Sequence, residues 1–430
     1  MENLAVNGKG HLTFNKIDTV LLARDFGTPL YVMDELTMRK ECRDFKESIA
    51  KYYGGHGITA YASKAFCCVQ MCRLIAEEGL GLDVSSIGEI HTALRAGCNP
   101  RKIYFHGNFK TDEEFAYALD NKVGRIEVDN LDELERLNVV ACEKNVTADI
   151  MLRVKPGVDA HTHSFIKTGK NDSKFGFIIE NGEALETVKK ALEYENISLK
   201  TINCHIGSQI FDTEPFVHTA GIMLDFLAQI KAELGYEVPE LNLGGGFGIK
   251  YVDGQEPMDV GECIESVSLR VKAKCAELGL AQPYIILEPG RKIVGDKGLT
   301  LYTVGCVKEI PDGDPKVIVD GGMTDNPRYA LYQAEYEAIV ANKADKPKDT
   351  IVSLCGRTCE SGDMLGEKMP LQSAEAGDIL AVLATGAYNY SMSSNYNRMM
   401  KPAVVFVNRN RATVVVKRET LDDLIRNDVV

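Results

Sequence analysis

Lys64, Asp83, His106, His205, Ser208, the run Gly244, Gly245 and Gly246, Glu288 and Arg291 are the residues whose types and spacing could do chemistry together. Several follow or close short apolar runs: Lys64 stands just beyond ITAYA, Asp83 lies in LGLDV, His106 ends KIYFH and Glu288 ends PYIILE. A lysine at a strand end is ordinarily a solvated tip. Beside acidic and imidazole groups its amine could instead be desolvated, lowered in pKa and able to attack an aldehyde to form a Schiff base. That chemistry points to pyridoxal phosphate. Three successive residues without Cβ let backbone N–H groups approach a phosphate, with the Ser208 hydroxyl of HIGSQ on the neighbouring strand end. NLGGGFG does not follow GxGxxG, so it suits a small cofactor phosphate better than a dinucleotide. An unpaired carboxylate at Glu288 would be costly, so it either pairs with Arg291 or accepts a hydrogen bond from a protonated pyridine nitrogen.

Such groups need a scaffold that brings strand ends together. Short β-rich runs alternate with helical stretches at 58–62, 80–84, 102–106, 125–129, 149–154, 199–206, 239–244 and 283–288. In SIGEIHTALRAG, between two of them, Ile87, Ile90 and Leu94 recur at helical spacing before Gly97. Eight β/α units predict an α/β fold, a (β/α)8 TIM-type barrel whose active site forms at the C-terminal ends of its strands. Beyond Arg291 the strand-like runs lose their crossover helices, which predicts a second, all-β domain of barrel or sandwich type, joined by the N-terminal PLYVMD. The expected division is 36–288 for the barrel, with 1–35 and 289–430 for the all-β part.

Composition narrows the classes. A net charge of −13 over 430 residues disfavours nucleic acid and anionic membrane surfaces as partners. No basic leader followed by an apolar stretch opens the chain, and no run is long enough to span a bilayer, so the cytoplasm is expected. The 12 cysteines are scattered through a core-rich chain, and the pairs Cys68 with Cys72 and Cys355 with Cys359 lack zinc-site spacing, so no metal is expected.

The stretches YASKAF, GLDVSSIGEI, HGNFKT, GVDAHTHSFIKTGKNDSKFGF, HIGSQI, NLGGGFG, EPGRKIV, DNPRYALY, CGRTCESGD and GAYNYSMSSNYN cover nearly the whole chain. In kind and order they resemble those of the fold type III, alanine-racemase-like pyridoxal-phosphate decarboxylases, most closely the diaminopimelate decarboxylase family. The resemblance implies that Lys64 bonds the cofactor aldehyde, His205 stacks on its ring, and Asp83 and Glu288 lie near the lysine and the pyridine nitrogen. Ser208, Gly244 to Gly246 and the stretch Glu288, Pro289, Gly290 and Arg291 match cofactor-binding loops, with Tyr388 near the phosphate. It makes Cys359 the proton donor after CO2 leaves and Glu360 the holder of a distal ammonium. Arg291 and Arg328 suit a second carboxylate, with Tyr332 and Tyr388 as further substrate contacts. The implied substrate is meso-diaminopimelate, the product L-lysine, and the assembly a homodimer whose CESGD segment reaches into the partner's site.

Phe66 and Phe109 depart from the family pattern, standing where asparagines are expected and bearing on substrate preference. Rival readings are a decarboxylase of another diamine acid, such as arginine, ornithine or carboxynorspermidine, a racemase, or a non-enzymatic regulator. Arg328 and Glu360 bear on the first. Lys64 with Cys359 is not the lysine and tyrosine pair of a racemase, and a regulator tends to lose the lysine or cysteine that this chain keeps.

Overall fold

The protein is described by a computed structural model covering residue 1 and residues 3–157, 174–409 and 411–429. It divides into two compact units, one of residues 41–248 and 256–290, the other of residues 1–40, 249–255 and 291–430. The segment Ile249–Gln255 thus leaves the stretch that the sequence assigns unbroken to the barrel and belongs to the other unit.

In the first unit the eight expected strands form as β1 (Gly57–Ala62), β2 (Gly81–Val84), β3 (Ile103–Phe105), β4 (Arg125–Val128), β5 (Ala148–Lys155), β6 (Ile197–Asn203), β7 (Glu240–Asn242) and β8 (Tyr284–Leu287). Each pairs in parallel with its sequence neighbour, and β8 pairs with β1, with Ile286 opposite Ile58, so the sheet closes into a barrel. The strands are short and apolar because each is covered on both sides. Ala60, Tyr104, Met151 and Ile286 form one buried cluster. The helix Ile87–Arg95 begins where the Ser86 hydroxyl accepts the Glu89 N–H at 3.3 Å, and the chain leaves it through Gly97 at φ +85°.

The other unit is built on a nine-stranded sheet of mixed pairing. Its long strand Gly298–Lys308 runs antiparallel to Leu30–Asp34, with Leu301 opposite Leu30, so PLYVMD does join this part. It is not purely β. The helix Thr19–Phe26, capped by the Asp18 carboxylate accepting from Val20 N at 2.9 Å, and the short helix Arg328–Tyr332 also lie in it.

Candidate active site

The barrel unit brings Lys64, Asp83, His106, His205, Ser208, Gly244 to Gly246 and Glu288 to the C-terminal ends of its strands, as periodicity predicts. Lys64 sits in the short helix Ser63–Ala65 after β1, with its side chain about half exposed and its Nζ 3.9 Å from Asp83 Oδ2. Asp83 is buried, and its Oδ1 has no hydrogen-bond partner among the described residues. Burial holds the Asp83 carboxyl above the usual carboxylate range against the opposing pull of His106 and Lys64. His205, half-buried, accepts from Gly245 N at 3.3 Å. Burial, then the positive charge of Lys64 and Arg153, keeps its imidazole well below the ordinary value and hence neutral.

His106 was legible only as one polar strand end, yet it is the hub of the barrel's charge network. It hydrogen-bonds Glu127 Oε2 through Nδ1 and Glu288 Oε1 through Nε2, both at 2.7 Å. Burial alone would lower its pKa; Asp83, Glu127 and Glu288 together raise it well above 6.5, so the ring donates from both nitrogens. Glu288 Oε1 also accepts from Asn242 Nδ2 at 2.6 Å, which leaves Oε2 for a further donor. The hydrogen-bond partners of Glu288 among the described residues, His106 and Asn242, are neither Arg291 nor a cofactor nitrogen. Asp83, His106 and Glu288 bring ligand-type atoms within 4.8 Å of one another, but the hydrogen bonds to Glu127 and Glu288 already engage both imidazole nitrogens.

The glycine run is demanded by the barrel as well as by any ligand. A Cβ at Gly245 would lie 2.0 Å from the Glu288 carbonyl oxygen, and one at Gly246, whose φ is +110°, would lie 2.5 Å from that of Gly207. Phe66 is buried, whereas Phe109 is exposed with the Arg136 guanidinium 5.3 Å from its ring centre. All 12 cysteines are free. Most of the motif GVDAHTHSFIKTGKNDSKFGF, residues 158–173, lies outside the described residues.

The other unit carries a second constellation. Arg291 and Arg328, both buried, each place a guanidinium over the ring of Tyr388, at 4.9 and 5.4 Å, and Tyr332 lies 5.8 Å from Arg328. Tyr251, which the sequence reading did not single out, accepts from both, from Arg328 Nη1 at 3.0 Å and from Arg291 Nη1. Burial would raise its phenol, but the two guanidiniums bring it below 10. The CESGD loop exposes Cys359 and Glu360. It is tied down by buried Asp363, whose carboxylate accepts from Met323 N at 2.6 Å and Thr358 N at 2.7 Å. Asp363 lies inside a quoted motif, and its role shows only once the chain is folded.

Residues 36–295 match the pyridoxal-dependent decarboxylase family, pyridoxal binding domain. Diaminopimelate decarboxylase of Halalkalibacterium halodurans is 48% identical over 424 residues, covering 99% of this chain and 96% of that protein. The Bacillus subtilis enzyme of the same name is 47% identical over 423 residues, with coverage of 98% and 96%. Among solved structures, diaminopimelate decarboxylase from M. jannaschii in complex with L-lysine superposes with a TM-score of 0.93 at 34% identity, covering all of this chain and 98% of the other.

Proposed function

Because this chain belongs to the diaminopimelate decarboxylase family of pyridoxal-dependent carboxy-lyases, we propose that it removes CO2 from meso-diaminopimelate to leave L-lysine, the last step in making that amino acid. The observation that carries the reading is the half-exposed amine of Lys64 beside a buried carboxylate with one unsatisfied oxygen. These residues fit pyridoxal 5'-phosphate: an amine for its aldehyde, a carboxylate oxygen at Glu288 for its ring nitrogen, a neutral imidazole at His205 for its ring face. Gly244 to Gly246, Ser208, Pro289, Gly290, Arg291 and Tyr388 are the remaining cofactor contacts. When bound, the cofactor supplies a ring that accepts the electron pair left by the departing CO2.

The chain's own groups do the rest. Cys359 holds at Sγ the proton that replaces the lost carboxyl, and Glu360 takes the distal ammonium. Arg291 and Arg328 take the distal carboxylate, with Tyr332 and Tyr388 beside them. A neutral His205 adds no second charge against the Lys64 amine. The cofactor-binding part is 36–288, the remainder carrying CESGD and GAY, and the working assembly is a homodimer sharing its two sites, in the cytoplasm. Among the described residues no helix is long and apolar enough to cross a membrane.

Purified protein supplied with pyridoxal phosphate and meso-diaminopimelate, beside ornithine and arginine, tests the proposal. Lysine and CO2 from diaminopimelate alone are expected. Turnover of ornithine or arginine would move the assignment to another basic amino acid, and no turnover of any substrate would overturn it.

A further inference from the structure

Two buried cations converge on one oxygen in the second unit. Arg291 and Arg328 both donate through Nη1 to the hydroxyl of Tyr251, and both lie over its ring, at 5.5 and 5.6 Å. Like charges repel, so this convergence needs something to hold it. The Tyr251 oxygen does so with a particular consequence: it accepts one N–H from each fork and so fixes the two guanidiniums relative to each other.

The support beneath Tyr251 is equally defined. The segment Ile249–Gln255 that carries it is closed by its own Gln255, whose side-chain oxygen accepts from Tyr251 N at 2.8 Å, and Asp253 N donates to Glu337 Oε1 at 2.9 Å. The Tyr251 ring meets Tyr336 edge-on at 5.4 Å, and the Tyr336 hydroxyl accepts from Asn389 Nδ2 at 3.3 Å. Ring, backbone and neighbour are each fixed, so the hydroxyl is a set point for both arginines.

We infer that Tyr251 is a positioning residue that presets Arg291 and Arg328 as a pair for the carboxylate remote from the reacting carbon, and so sets the preference for substrates that carry one. This rests on the proposed decarboxylase reading. Misalignment of a two-armed grip should weaken every ligand bearing that carboxylate and spare those without it.

The test uses the cofactor-loaded protein and its Tyr251→Phe variant, which keeps the ring and loses the acceptor. Inhibition constants are measured for L-lysine and for 1,5-diaminopentane, which differ only in the carboxylate, together with kcat and KM for meso-diaminopimelate. Expected are an about tenfold weaker L-lysine constant and a similar rise in KM, with kcat and the diaminopentane constant changed less than about threefold. An unchanged L-lysine constant, or equal weakening of both inhibitors, overturns the role. If Y251F does not load cofactor, Tyr251→Met, unbranched and without a strong acceptor, gives the same comparison. Wild-type protein that does not turn over diaminopimelate removes the decarboxylase reading and this inference with it; wild-type turnover with an unaltered variant removes only the role of Tyr251.

Discussion

The two units gather charge in opposite ways. The barrel sets three carboxylates, Asp83, Glu127 and Glu288, around one buried imidazole, while the other unit sets two guanidiniums around tyrosines. Acid groups withdrawn from water demand strong donors, and His106 and Arg153 supply them. The arginines instead rest on aromatic faces and one phenol oxygen. One network holds its own balance; the other gathers its cations on tyrosines.

That contrast can be broken, most severely at Lys64. Lys64→Ala should lose the visible absorbance of bound cofactor and all turnover, and unchanged absorbance would remove Lys64 from its assigned place. Next, Cys359→Ala should slow turnover by about 10²- to 10⁴-fold with cofactor absorbance retained, since only proton delivery is lost; full activity would show the proton comes from elsewhere. On the balanced side, Glu127→Gln takes one of three carboxylates from the buried His106 and should lower stability by about 1–3 kcal/mol in denaturant titration. A loss below about 1 kcal/mol would mean that the carboxylate is not needed there.

The same network should leave a mark on stability against pH. Burial would raise the Glu127 carboxyl, but His106 and Arg153 hold it far below its usual value, so its contribution is present above about pH 4.3 and lost on acidification. His106 is held above its ordinary value, so its contribution is full below about pH 6.5 and lost as pH rises through the folded value. The melting temperature should therefore decline on the alkaline side, and His106→Gln should flatten that decline. A wild-type melting temperature that rises with pH above about 7 would contradict the assignment. Smallest of all, Phe109→Ala removes one exposed ring from Arg136 and should cost no more than about 0.5 kcal/mol with substrate preference unaltered.

Fold and site were legible to different depths. The barrel strands could be read because each is a short apolar run with turn residues at its ends, a local pattern. So could Lys64, Asp83 and Glu288, whose places follow from strand ends. The His106 network could not, because His106 and Glu288 are 182 residues apart and no spacing rule links them. Tyr251 was hidden for a related reason. It follows the glycine run within what reads as an ordinary barrel connection, and nothing in IKYVDGQ indicates that these residues group with the unit built on the nine-stranded sheet.

That short excursion bears on how such a protein can be inherited or rebuilt. The chain passes between its two units at four points, near residues 40, 248, 255 and 290, so neither unit is a single unbroken length of sequence. A barrel transplanted as residues 41–290 would carry Tyr251 away from Arg291 and Arg328, and the fragment left behind would keep both arginines without the hydroxyl they share. Recombination at the obvious boundary therefore separates the pair from its fulcrum, and a working chimera has to exchange seven residues from inside the barrel sequence as well.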